Sequence, residues 1–88
     1  MAEFIGMNPD EVELLSQQLE TKAGDIETIL STLTSALGST TWTGTDFTRF
    51  EEAWQSTITP NLTNAANQLH DASKSAYGDA QAQRNASS

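Results

Sequence analysis

The chain has 88 residues, no cysteine, a single histidine, a formal net charge of -8 and a pI near 4.2. These figures allow one domain, exclude disulfides and thiolate metal sites, and leave no His cluster for a metal. The acidic surface repels nucleic acid and anionic lipid, and with only 36% hydrophobic residues a chain this short calls for stabilisation by another chain.

Residues 1–7 hold Phe4, Ile5 and Met7, an apolar arm with no basic segment and no long apolar core. It does not read as a cleaved signal peptide. No apolar run approaches the roughly 20 residues of a membrane span, so stable membrane insertion is not expected. Asn8-Pro9-Asp10-Glu11 then marks a helix start. Asn8 suits the N-cap, Pro9 the first helical position, and the acids complement the positive end of the dipole.

The first helix is expected over about 9–37, ended by Gly38. Its apolar residues keep a heptad: Val12, Leu19, Ile26 and Leu33 at a, Leu15, Ile29 and Ala36 at d, Ala23, Leu30 and Leu37 at e. Such a stripe is built for helix–helix packing. Lys22 interrupts the d row, where it either snorkels its ammonium outward or fixes register. Seven of the twelve acids lie in residues 1–27, whereas 28–41 carry no charge and are rich in Thr and Ser. That neutral stretch is either a packed or hydrated face or a contact surface.

Thr41-Trp42-Thr43-Gly44-Thr45 reads as the turn of a helical hairpin, over about 38–45. Gly44 allows a tight backbone at positive φ. Trp42 is expected to close the end with its ring over Leu37 or Phe47. The second helix, about 46–78, is capped by Thr45 or Asp46. It places Phe47, Phe50, Trp54, Ile58, Leu62, Ala65, Leu69, Ala72 and Ala76 on its apolar face. The extra four-residue steps are a stutter, and Pro60 predicts a kink near 56–60. A hairpin centred on Trp42 sets Leu37 near Phe47, Leu33 near Phe50, Leu30 near Trp54, Ile26 near Ile58, Leu15 near Leu69 and Val12 near Ala72. Tyr77 then lies beside Met7 and the apolar arm. Residues 79–88, rich in Ala, Gln, Asn and Ser, have nothing left to pack on and read as a mobile tail.

The fold class is therefore all-α, an antiparallel two-helix hairpin. With apolar stripes on both helices it is expected to pair into a four-helix bundle dimer. No catalytic constellation, phosphate loop or nucleotide motif is present in the sequence, and no cofactor is implied. Glu51-Glu52 read as a solvated face and His70 as a surface histidine.

A central Trp42-Thr43-Gly44 between two helices, in a short cysteine-free chain, resembles the hundred-residue W-x-G family. These are the early-secreted-antigen-like substrates of type VII secretion. Gly6-Met7-Asn8-Pro9-Asp10 and Trp42-Thr43-Gly44-Thr45-Asp46, followed by Phe50 and Trp54, extend the likeness over essentially the whole chain. The resemblance implies a non-enzymatic helical hairpin, paired with itself or with a paralogous W-x-G protein. It implies export in folded form by a membrane machine of actinobacteria and related Gram-positive bacteria, whose ATPase is a further partner. The product acts as a secreted effector or chaperone-like partner. Export in that family reads the W-x-G turn with a C-terminal tyrosine followed four residues on by Asp or Glu. Trp42, Gly44 and Tyr77 match, but the fourth residue on is Gln81, with Asp79 two residues early. Either the signal is relaxed here or a partner supplies the acidic version. The competing expectation is an intracellular adaptor that works only through helix pairing.

Overall fold

A computed structural model describes residues 6–87. Phe4 and Ile5 of the apolar arm lie outside the described residues. Helix α1 runs Pro9–Ser39, α2 Thr45–Ala53 and α3 Thr59–Ser87, with a π-helical turn over Trp54–Ile58 between the last two. The two arms form a hairpin measuring 68 × 18 × 13 Å, with a radius of gyration of 19.6 Å. A compact domain of this length would have a radius near 12 Å. A rod this thin has no interior, and among the described residues no large side chain is fully buried.

The start of α1 follows the sequence. Asn8 Oδ1 accepts from the backbone N–H of Asp10 at 3.0 Å and of Glu11 at 3.2 Å, with Pro9 at the first position. The end departs from it, because α1 continues through Gly38 to Ser39. Ser39 Oγ donates to the Ser35 carbonyl at 3.0 Å, and Thr40 Oγ1 to that of Ala36 at 2.7 Å. Those hydroxyls satisfy the last orphan carbonyls, so no left-handed glycine is needed there. The left-handed residue comes later: Gly44 has φ 105° and is itself the N-cap of α2, in place of Thr45 or Asp46. Its carbonyl accepts from the Thr48 amide at 3.1 Å and the Thr48 hydroxyl at 3.2 Å.

Where a kink is expected near 56–60, the chain has a π turn over Trp54–Ile58. Pro60 lacks an N–H, and its ring would crowd the carbonyl four residues back. The chain widens just before it, and Thr59 N–H bonds the Trp54 carbonyl, five residues back. A π turn adds a residue without breaking the helix, which absorbs the stutter in the apolar pattern.

The seam between α1 and α3 is made of small side chains. Ser16 and Ala23 of α1, and Ala66, Ser73 and Ala80 of α3, are the buried residues, spaced by seven within each helix. Small residues let two helix backbones come close, and Ser73 Oγ donates across the seam to the Ser16 carbonyl at 2.7 Å. Ser16 Oγ in turn donates to the Glu13 carbonyl at 2.6 Å. The seam runs along the e row of α1, which also holds the half-buried Leu30 and Leu37. Val12, Leu19 and Ile26 are half-buried on its flank, while Leu15, Ile29 and Leu33 are about half exposed. On the returning arm Phe47, Trp54, Ile58, Leu62 and Leu69 are half-buried, and Phe50 is exposed.

The register differs from one centred on Trp42. Ser73 lies against Ser16, and Trp54 Nε1 donates to Thr34 Oγ1 at 3.1 Å, which centres the pairing on residues 44–45. Trp54 is thus one helical turn from the expected Leu30. The cause is the start of the returning arm, where no Cα of α2 comes within 8 Å of one in α1. By the same measure the π turn is not closed on α1 either, so the backbones come together only along α3.

This shift corrects the reading of 79–88 as a tail with nothing to pack on. Later register carries α3 further along α1, so Ala80 is fully buried and the helix continues to Ser87. Arg84 pairs with Asp10 at 2.8 Å and with Glu13. Gln81 Nε2 donates to Glu13 Oε1 at 3.4 Å. These contacts tie the last turns of α3 to the first turn of α1. Arg84→Ala is expected to release the end of α3. Amide exchange at residues 81–86 should rise toward free-chain rates while Ala66 and Ser73 keep their protection. Unchanged exchange at 81–86 would remove Arg84 as the anchor.

Candidate functional site

The turn that carries Trp42 and Gly44 is built from both ends. The hydroxyl-capped end of α1 stops the first arm, and the left-handed Gly44 reverses the chain into α2. A side chain added at Gly44 would meet no atom within 4 Å, so the backbone angle alone demands glycine there. Trp42 is 38% exposed. Its ring lies 5.6 Å from Phe47 at 62° and 5.3 Å from Phe50 at 47°. Of the two expected partners Phe47 is in contact, and Phe50 is a further ring partner. Phe50 stacks on Trp54 at 6.3 Å, and Trp54 is tied to Thr34. Trp42, Phe50 and Trp54 form a short aromatic ladder that links the turn to Thr34 of α1. Leu37 and Phe47 face a common open groove of about 430 Å³ with Thr34, Glu51 and Trp54.

Tyr77 is 49% exposed. It lines a groove between the arms with Ser16, Gln17, Glu20 and Ser73, the later register having moved it from the expected place beside Met7. Trp42 and Tyr77 are not brought together within one chain. The residues from Thr45 to Tyr77 span about 48 Å at 1.5 Å each. Gln81, at the position where the resembled family carries an acid, turns inward to Glu13.

Four large apolar side chains of α1 are exposed. Leu14, Leu15, Ile29 and Leu33 are 47–56% exposed, and Leu14, Leu15 and Leu19 line an open groove beside Lys22. Lys22 points to solvent, with a side chain 72% exposed and Asp25 at 3.6 Å. That ion pair lies within α1 and fixes no register between the arms. The stripe read as hairpin packing is therefore divided: the e row packs on α3, and the d row is left open.

Three features went unread in the sequence. One is the small-residue seam, detectable as the seven-residue recurrence of Ala66, Ser73 and Ala80 one position along from the expected Ala65, Ala72 row. Another is the Arg84 clasp. The third is His70, which bonds Glu20 and Glu27 across the seam and is no isolated surface residue. Among the described residues no group of His, Asp and Glu could hold a metal ion, and no helix is long and apolar enough to cross a membrane. Comparison with known proteins finds no family model, no curated protein and no solved structure that matches this chain.

Proposed function

We propose that this chain is a non-enzymatic type VII secretion substrate, exported folded as a dimer and acting outside the cell as an effector or chaperone-like partner. The observation that carries the reading is the turn. Trp42 stands half exposed in the loop of a helical hairpin, two residues before a glycine that must be glycine. Tyr77, exposed on the second arm, supplies the tyrosine of the second part of the signal, whose acid is either dispensable here, with Gln81 at that position, or supplied by a partner. The open face of Leu15 and Ile29 in the d row, with Leu33 of the a row, is the surface that pairs with a second copy or a paralogous W-x-G protein. In an antiparallel pair the turn of one hairpin comes beside the open end of its partner, which places a Trp42 near a Tyr77 that one chain holds apart.

The test is export from an actinobacterial host with an active type VII machine. Trp42→Ala and Tyr77→Ala are each expected to reduce the exported fraction to background. Both variants should remain helical by circular dichroism, Trp42→Ala at a cost of about 2 kcal/mol for a half-exposed ring. Undiminished export of folded variants would sink the signal assignment. The same open apolar face favours a second reading, an intracellular adaptor that acts through helix pairing alone, and this one predicts no exported pool of the wild-type chain.

A further inference from the structure

His70 stands on α3 opposite a gap in the acidic face of α1. Its Nδ1 lies 2.9 Å from Glu20 Oε1 and its Nε2 3.2 Å from Glu27 Oε2. Glu20 and Glu27 are seven residues apart, on one face of α1. Between them lies Ala23, fully buried in the seam, so α3 approaches closely enough for an imidazole to reach both acids. On its own helix His70 is flanked by the seam residues Ala66 and Ser73, and its side chain is only 24% exposed.

The proton count fixes the species. A neutral imidazole has one N–H and one acceptor nitrogen, and a carboxylate only accepts. With both ring nitrogens against carboxylates, the two contacts are satisfied together only by the imidazolium, which donates at both ends. We propose that His70 is a proton-operated brace between α1 and α3, closed on Glu20 and Glu27 as the imidazolium and half-released as the neutral ring. When the ring loses its proton, one carboxylate is left facing α3 without a donor. The chain is strongly acidic overall, so that loss is not readily made good.

The other charges nearby are few. On α1, Lys22 is engaged with Asp25 at 3.6 Å. On α3, Asp71 follows His70 in sequence and Lys74 is one turn along, lining the groove that also holds Glu20. The direct partners are thus the two glutamates. The Glu20 hydrogen bond, then that of Glu27, raises the His70 pKa above its ordinary 6.5, against a smaller opposing effect of burial. A raised folded pKa fixes the sign. The stabilisation is fully present below about 6.5 and is lost as pH rises through the folded value. The brace sits on the small-residue seam, so its release loosens the middle of the hairpin while the Arg84 clasp still holds the open end. This inference does not depend on the export reading, and its test uses the isolated chain.

The experiment has two arms. The first follows the His70 ring signals by NMR from pH 5 to 9 in the wild-type chain and in Glu27→Gln. The midpoint is expected above 6.5 in the wild type and lower in the variant. The second compares thermal unfolding at pH 5.5 and 8.0 for the wild type and His70→Gln. The variant removes from the pH response the part owed to His70. The wild-type Tm is expected to fall between the two pH values by a few degrees more than that of the variant. A wild-type midpoint at or below 6.5, or the same midpoint in Glu27→Gln, overturns the proposal. So does an equal pH response in the wild type and in a folded His70→Gln. Should His70→Gln not fold at either pH, the two midpoints decide the matter.

Discussion

Ala66→Leu is expected to destabilise the hairpin by about 1–3 kcal/mol, because it forces three carbon atoms into a seam with no room for them. Ala66 is 1% exposed and Ala23 0%. Both lie where α1 and α3 come closest, and no larger side chain can turn aside without parting the helices. For a domain of this size the loss amounts to a drop in Tm of about 4–8 °C per kcal/mol. Thermal unfolding by circular dichroism reads it directly. Ala72→Leu is the control, since Ala72 is exposed on the same helix and a surface change of this kind stays within about 0.5 kcal/mol. Equal effects at 66 and 72 would mean that the seam does not run through Ala66, Ser73 and Ala80. Ala23→Leu should behave like Ala66→Leu, and combining the two should cost less than twice one alone, because neighbours across a contact share their strain.

Substituting Leu15, Ile29 and Leu33 together with Gln is expected to abolish self-association and leave the monomer folded. Each of these side chains is about half exposed in the single chain, so each has roughly 1 kcal/mol of further burial to gain in a partner interface. A two-fold homodimer buries the set twice, which corresponds to a Kd weaker by about four orders of magnitude. Light scattering at micromolar concentration separates the two states. A wild-type chain that stays monomeric there would remove the homodimer, and one that still dimerises as the triple variant would move the interface elsewhere. Retained helicity in the triple variant is part of the expectation, because the Ser16–Ala23 row, and not the Leu15–Ile29 row, holds the two arms together.

The helices and the turn were legible in the residues. Asn8-Pro9 fixes one helix start and Gly44 the reversal, because capping and left-handed backbone are local matters set by one or two side chains. Pro60 pointed to a kink, and the chain instead has a π turn just before it. The apolar heptad of α1 was readable too, but not its use. A heptad shows which residues share a face, and a helix with a, d and e rows filled offers more than one face for packing. The chain uses the e row inside the hairpin and leaves Leu15, Ile29 and Leu33 open. Attention to large apolar residues also hid the small ones, although close approach of two helices selects small side chains.

What the sequence by itself determined is the local architecture: two long helical arms, a glycine-dependent turn bearing Trp42, and an acidic surface. Only the tertiary structure decided the register. A shift of about one turn has little local signature, since every residue keeps its helix and its face. It is set at the turn end, where α2 stays clear of α1 and Trp54, at the end of the Trp42–Phe50–Trp54 ladder, reaches Thr34. That displacement brings Arg84 onto Asp10 and Glu13, His70 onto Glu20 and Glu27, and the supposed tail into the fold. Contacts more than forty residues apart in the chain depend on that one offset, which is why side chains that read as solvated surface are the ones that tie the arms together.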